Sequence, residues 1–417
     1  MKRYSEYKDS GVKWIGEIPG HWNAVSLKRV VKLINEKSNE QNIPYIALEN
    51  IESFTGKILP LNEIEPDSIC NKFKKDDVLF CKLRPYLTKC VSPSFDGKCT
   101  SELLVLRNFN GVANYLKYTL LSPRLVMDIN ASTYGAKMPR ANWNYIGLCR
   151  VPLPPLPEQE AIVTYLDTKV AKIDEYISIA EKKIAALEEL KQTIIAEAVT
   201  RGIHKDVPMK DSGVKWIGMI PEHWKMNSLR SYVKLYSEKN HPEKQLLSVT
   251  REMGVIVRNT ESKEENHNFI PDDLSGYKLV RKGDFVINKM KSWQGSYGVS
   301  KYEGIVSPAY YVCKLKFPYN DFFSIAIRCK SYVPFFTQYS KGIRVDQWDL
   351  SPIALKNIPF MEPPITEQQE IVTYIEAKAA KIDQLCQAER SQIEKLKEYK
   401  QRLISDVVTG KVKVTND

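Results

Sequence analysis

From position 166 the apolar residues step alternately by four and three: Leu166, Val170, Ile173, Ile177, Ala180, Ile184 and Leu187, then Lys191, Ile194 and Ala198. The walk recurs as Ile375, Ala379, Ile382, Cys386, Glu389, Ile393, Leu396, Lys400, Leu403 and Val407. Such spacing makes the narrow seam of a helix that packs on another helix, here with a polar break at Lys191 in the first and at Glu389 and Lys400 in the second. After the proline run 152–157 the first helix is expected to open at Pro157 or Glu158, because proline is tolerated in a first turn. Thr366-Glu367-Gln368-Gln369 reads as a capping box opening the second, and Gly202 and Gly410 as C-terminal caps. Each helix then spans roughly 44 residues, or about 66 Å at 1.5 Å per residue. Neither buries its seam alone, so the two are expected to pack antiparallel on each other.

Elsewhere the pattern is of short apolar runs between Gly, Pro and Asp turn signals. Val78–Cys81 and Leu103–Leu106 read as buried strands, and so do Phe285–Ile287 and Tyr310–Cys313. The expected fold class is mixed α/β (α+β): two globular domains joined by two long antiparallel coiled-coil helices.

The runs fall into a repeat. KDSGVKWIGEIPGHW (8–22) and KDSGVKWIGMIPEHW (210–224) differ only at Glu17/Met219 and Gly20/Glu222, at an offset of 202. At 207, KKDDVLFCKLRPY (74–86) aligns with RKGDFVINKMKSW (281–293), Asp96-Gly97 with Glu303-Gly304, and Gly135-Ala136-Lys137 with Gly342-Ile343-Arg344. At 209, PPLPEQEAIVTYL (154–166) aligns with PPITEQQEIVTYI (363–375). Between these points the halves share almost nothing. Uniform drift would not leave nearly untouched blocks beside a diverged middle, so the pattern is a common frame carrying two different readers, related by a pseudo-twofold. The expected segments are 1–152 and 204–361 for the recognition domains, and 153–203 and 362–417 for the helices with the C-terminal tail.

Composition removes several classes. No N-terminal apolar stretch and no run of about 18 apolar residues is present, which disfavours secretion and membrane insertion. The eight cysteines lack a Cys-x-x-Cys pair, so a zinc site or disulfide framework is not expected, and reduced thiols fit the cytoplasm. Cys81, Cys313 and Cys386 fall in apolar patterns and read as small core residues. No phosphate-binding G-x-x-x-x-G-K-[S/T] loop, cofactor-binding glycine loop or Asn/Asp-Pro-Pro-aromatic motif occurs, so no catalytic residue, metal or cofactor is assigned. Pro66-Asp67 with Lys82 and Pro271-Asp272 with Lys282 could be forced into a carboxylate–lysine nuclease site, but Pro-Asp is ordinary turn chemistry. The repeat-related His21 and His223 read as packing or capping groups beside Trp22 and Trp224 rather than as catalysts.

The net charge of +11 makes a polyanion a reasonable partner. Lys82, Arg84 and Tyr86, with their counterparts Lys289, Lys291 and Trp293, place cations and an aromatic ring as a phosphate- and base-contacting stretch would. Asn288 and Gln294 add groups able to pair with an adenine edge. Lys137, Arg140 and Asn142, and Arg344, Asp346 and Gln347, form a second polar loop beside a glycine. Singly each is as well read as a solvated loop; their recurrence at corresponding places favours DNA contact.

The KDSGVKWIGxIPxHW blocks, the LPPLPEQE and PPITEQQE helix starts, GAKMPRANW (135–143) and NKMKSWQG (288–295) with GIVSPAY (304–310) together resemble type I restriction–modification specificity subunits. The resemblance covers essentially the whole chain. It implies a non-enzymatic subunit whose two target-recognition domains each read one half of a bipartite, asymmetric double-stranded DNA target. The helices would set the spacing and bind two modification subunits, which carry S-adenosylmethionine and methylate adenine. ATP-dependent motor-endonuclease subunits would complete the assembly. Half-sites read from one face would lie about one duplex turn, roughly 34 Å, apart. The second glycine loop departs from the first, GIRVDQW against GAKMP, which implies that the two domains belong to different recognition subfamilies.

Overall fold

The computed structural model describes residues 3–61, 69–259, 270–342 and 348–415. The chain forms two compact units. One comprises Met1–Glu181 with Glu389–Asp417, the other Lys182–Ala388.

In the first unit a four-stranded antiparallel sheet is built from β1 (Lys32–Ile34), β2 (Val78–Cys81), β3 (Cys90–Val91) and β4 (Leu103–Arg107), in the order β1-β4-β2-β3. Successive side chains on a strand point to opposite faces, and here both faces are covered. Val78, Phe80, Leu104 and Leu106 enter a core with Tyr115 and Leu116 of the helix Ala113–Leu120. Leu79, Cys81, Leu103 and Val105 enter another with Ile46, Phe73 and Cys99 of a second small sheet. That double burial is why these strands are unbroken apolar runs rather than alternating ones.

The second unit repeats the design with other residues. Its sheet uses β5 (Val233–Tyr236), β6 (Phe285–Asn288), β7 (Tyr297–Val299) and β8 (Tyr310–Leu315), in the order β5-β8-β6-β7 and again antiparallel. Phe285 and Ile287 pack with Phe322 and Phe323 of the helix Asn320–Arg328, while Val286 packs with Leu247, Val249 and Val306 on the opposite face. Among the described residues no helix is long and apolar enough to cross a membrane. The cysteines are buried except for the partly covered Cys149. Burial pushes the Cys81 thiol up to about 11 and that of Cys313 to about 12, so both stay protonated as core residues.

The long helices are α1 (Leu156–Arg201) and α2 (Ile365–Val408). Each opens earlier than the sequence signals suggest, directly after a Pro-Pro pair. Thr366 therefore lies inside the first turn and is not the N-cap of a capping box. Instead the Gln159 amide donates to Pro154 O at 3.0 Å and that of its counterpart Gln368 to Pro363 O at 2.8 Å, tying each helix to the strand before it. The C-caps fall where glycine places them, with φ of 74° at Gly202 and 73° at Gly410. A Cβ at Gly410 would lie 2.4 Å from Pro19 Cδ, and one at Gly202 2.8 Å from Glu367 Oε1.

Each unit contains part of both helices. In the first, Ile162, Leu166, Val170 and Ile173 of α1 share a core with Leu403, Ile404, Val407 and Val408 of α2. In the second, Ala198 and Val199 of α1 share a core with Ile371, Val372 and Ile375 of α2. The helices run antiparallel in both. Trp22 touches the start of α1, through its indole bond to Glu158, and the end of α2 at Gly410; Asp174 meets Lys400 farther along. Trp224 likewise touches Glu367 and Gly202, and Lys191 meets Asp383 farther along.

The near-identical blocks form these junctions. Tyr7–Asp9 pairs with Glu17–Pro19, as Met209–Asp211 does with Met219–Pro221. Trp22 and Trp224 are wholly buried. Their indoles donate to Glu158 at 3.1 Å and Glu367 at 3.0 Å, and His21 and His223 sit against the same carboxylates at 2.5 and 2.8 Å. Each histidine thus lies beside its tryptophan and against the same carboxylate.

Candidate nucleic-acid interface

In the first unit β2 ends at Cys81 and delivers Lys82-Leu83-Arg84 onto the loop that follows Gly135. Leu83 bridges Arg140, the Ala141 amide donates to Lys82 O at 2.9 Å, and the Arg84 amide donates to Pro139 O at 2.7 Å. Arg84 takes a left-handed conformation, φ 48°, which turns the chain into the short helix Pro85–Leu87. Its guanidinium approaches Lys137 O at 3.4 Å. Lys82, Arg84, Tyr86, Lys137, Arg140 and Asn142 therefore belong to one surface made of two apposed segments. Arg84, Tyr86, Lys137 and Asn142 are exposed.

Two of these groups are already committed. Arg140 makes a bidentate ion pair with Glu102, 2.9 to 3.1 Å, so its charge is neutralised and its plane fixed. Asn142 caps the turn Trp143–Ile146 through its side-chain oxygen, which accepts the Asn144 amide at 2.9 Å. Lys82 and Lys137 carry no ion-pair partner among the described residues. Tyr134 and Met138, both exposed apolar side chains, flank the cations and were not singled out in the sequence. Only their place beside Gly135 could have drawn attention to them.

In the second unit the basic stretch meets Trp348, Asp349 and Leu350, the described end of the corresponding loop. Lys289 O accepts the Leu350 amide at 3.1 Å, and its ammonium pairs with Asp349 at 3.0 Å. Lys291 precedes the short helix Ser292–Gln294, which Gly295 terminates at φ 95°. Trp293 packs edge-on against Trp348 with ring centroids 5.4 Å apart. Asn288 caps its own turn through the Met290 amide, as Asn142 does in the first unit. Lys291 and Gln294 are exposed. Arg344, Asp346 and Gln347 lie outside the described residues. Glu102 and Asp349, the acidic partners, escaped the sequence reading because a carboxylate does not advertise a DNA surface. Among the described residues they leave Lys82, Arg84 and Lys137 in one unit, and Lys291 in the other, without an ion-pair partner.

Both units also hold an open groove between the long helices and the globular part. In the first, of about 830 Å³, Glu52–Lys57 faces Asp174 and Lys400. In the second, of about 1380 Å³, Arg251–Ile256 and Arg328 face Lys191 and Asp383. Arg328 donates to Tyr297 O, Arg251 O and Glu252 O at 2.7 to 3.1 Å and so holds the loop in shape. Among the described residues no group of three or more His, Cys, Asp or Glu could hold a metal ion.

No family model matches the chain. It is 25% identical over 436 aligned positions, 98% of either chain, to a putative type I restriction enzyme MjaX specificity subunit of Methanocaldococcus jannaschii. It is 26% identical over 192 residues to the Escherichia coli type I restriction enzyme EcoDI specificity subunit, of which it spans 43%. In sequence the chain is thus similar to type I restriction specificity subunits, in one case along nearly its whole length. Their fold is also its own. A solved chain from work on complex assembly and conformational transition of the type I R-M system superposes with a TM-score of 0.69 at 18% identity, over 94% of this chain and 98% of that one. The HsdS subunit from Thermoanaerobacter tengcongensis gives 0.51 at 19%, over 95% and 98%. Within this chain the two units share one central strand order and carry different surface residues.

Proposed function

We propose that this specificity subunit reads a bipartite, asymmetric DNA target, one half-site per recognition domain, and carries no chemistry of its own. The single observation behind it is the pairing of sameness and difference. One strand order recurs in both units, each with a basic stretch after the equivalent strand, built from sequences that scarcely align. The junction blocks, by contrast, are nearly identical. Two different half-sites need two different readers; two equal partners need two equivalent docking surfaces. The helices then set the half-site separation and offer those surfaces to two adenine-methylating modification subunits. Motor-endonuclease subunits join to cut unmethylated DNA in the cytoplasm. Lys82, Arg84 and Tyr86 with Lys137, Arg140 and Asn142 face one half-site. Lys289, Lys291, Trp293 and Gln294, with Arg344 and Gln347, face the other. Phosphate contacts from the free cations would position the duplex, while amide and aromatic groups would read or pack on base edges.

The test is the adenine methylome of a host carrying this gene and its modification subunit, with and without deletion of this chain. One bipartite motif with a fixed spacer should vanish on deletion. Exchange of residues 25–150 for another reader should alter one half of the motif and leave the other. A methylome unchanged by deletion, with both proteins expressed and the complex failing to bind DNA, would refute the reading.

A further inference from the structure

Asp174 and Asp383 are equivalent at the repeat offset of 209, and so are Lys191 and Lys400. The structure pairs them crosswise. Lys400 donates to Asp174 at 2.7 Å in the first unit, and Lys191 to Asp383 at 2.7 Å in the second. Both lysines occupy seam positions where the pattern of threes and fours otherwise calls for an apolar residue. The first pair is well covered, with side-chain exposures of 5% for Lys400 and 14% for Asp174, and Lys57 closes on the same carboxylate at 2.7 Å. The second is more open, with 27% for Lys191 and 61% for Asp383.

An apolar seam that repeats every seven residues is nearly degenerate to a slip of seven. A slip would restore most apolar contacts in the middle of the seam, at the cost of those the helix ends make with Trp22 and Trp224, and it would bury each lysine without its carboxylate, an unpaired charge in an apolar seam. A polar group at a single seam position is the known way for helix pairs to choose one register at some cost in stability. We propose that the crossed pairs Lys400–Asp174 and Lys191–Asp383 are register-setting groups, and that by fixing how far one helix lies along the other they fix the single spacer length this protein accepts. The spacer clause rests on the function proposed above; the register clause does not. One heptad of slip is about 10.5 Å, the rise of about three base pairs.

The test replaces both lysines by leucine in the full chain. Charged pairs exchanged for apolar residues of similar size should leave the melting temperature unchanged or raised. Spin labels at exposed Glu175 of α1 and Lys397 of α2, both in the first unit, are introduced in a Cys149→Ser background. The parent chain should give one distance, and Lys191→Leu/Lys400→Leu a second population. In the methylome both half-sites should persist while spacers differing by about three base pairs appear. A folded double variant with one unchanged distance overturns the register lock. A second distance together with one unchanged spacer overturns the spacer clause. A second distance with no bipartite motif even in the parent keeps the lock and defeats the proposed function instead. If the double variant does not fold, Lys191→Leu alone serves, since its partner Asp383 is exposed, and a smaller second population is then expected; its absence counts against the lock.

Discussion

At the residue scale the strongest constraints are carboxylates that satisfy several donors at once. Glu158 accepts from the Tyr4 hydroxyl at 2.7 Å and the buried Trp22 indole, and lies against His21. Glu158→Ala leaves those donors without an acceptor, and should cost about 2–4 kcal/mol in urea unfolding, with Glu158→Gln costing less. A loss below about 0.5 kcal/mol would show that water replaces the carboxylate freely. Asp174 carries a pH dependence of definite sign. Burial alone would raise its pKa, but the contacts and charges of Lys400 and Lys57 outweigh burial and hold it below the ordinary carboxylate range. The unfolded chain then binds the proton more tightly, so the contribution is complete above about pH 5 and disappears as pH falls through the lowered folded value. Asp174→Asn should flatten the acid limb of stability below about pH 4. An acid limb identical to the parent's would remove Asp174 from the account.

At the element scale, legibility followed periodicity and shape. The seams of α1 and α2 were readable because a long helix repeats its pattern many times, and the four central strands because both their faces are apolar. Gly97 and Gly304 were matched across the repeat for a reason the sequence does not state: a Cβ at either would lie 2.5 or 2.4 Å from a backbone carbonyl oxygen just before a neighbouring strand, at Pro44 and Gln245. The helix starts were misplaced because Pro-Pro followed by a Gln that reaches back to the chain is a capping device outside the Ser/Thr pattern. The basic stretches were legible as recurring segments, but which cations are neutralised was not, since Glu102 and Asp349 arrive from elsewhere in the chain. That division makes a prediction. Lys82→Ala and Arg84→Ala should each lower the slope of log affinity against log salt by about 0.9, as one lost phosphate contact does, without changing the half-site preferred. Unchanged slopes in titrations of the assembled complex would place the phosphate contacts on other groups.

At the scale of the whole molecule, the repeat in sequence is not the repeat in space. The sequence halves break between the first helix and the second domain, whereas the structure breaks each long helix near its middle. The second unit is the unbroken run Lys182–Ala388; the first needs Met1–Glu181 and Glu389–Asp417 together. No local pattern could reveal this, because it depends on which helix end covers which core. It predicts an asymmetry between fragments. A chain of residues 182–388 contains every residue of its main core, from Ala198 to Ile375, and should unfold cooperatively on its own. A chain of residues 1–181 lacks Leu403, Ile404, Val407 and Val408, which exposes Ile162, Leu166 and the indole of Trp22 to water. Losing four large buried side chains is worth on the order of 6–12 kcal/mol of apolar burial, comparable to the whole stability of a domain. That fragment should therefore give no cooperative thermal transition and be rapidly proteolysed, and adding a separate chain of residues 389–417 should restore protection. If residues 1–181 melted cooperatively alone, the end of α2 would be a cover rather than a part of the first unit's core. The near-identity of the junction blocks would then need a cause outside folding, such as equivalent docking by two copies of one partner.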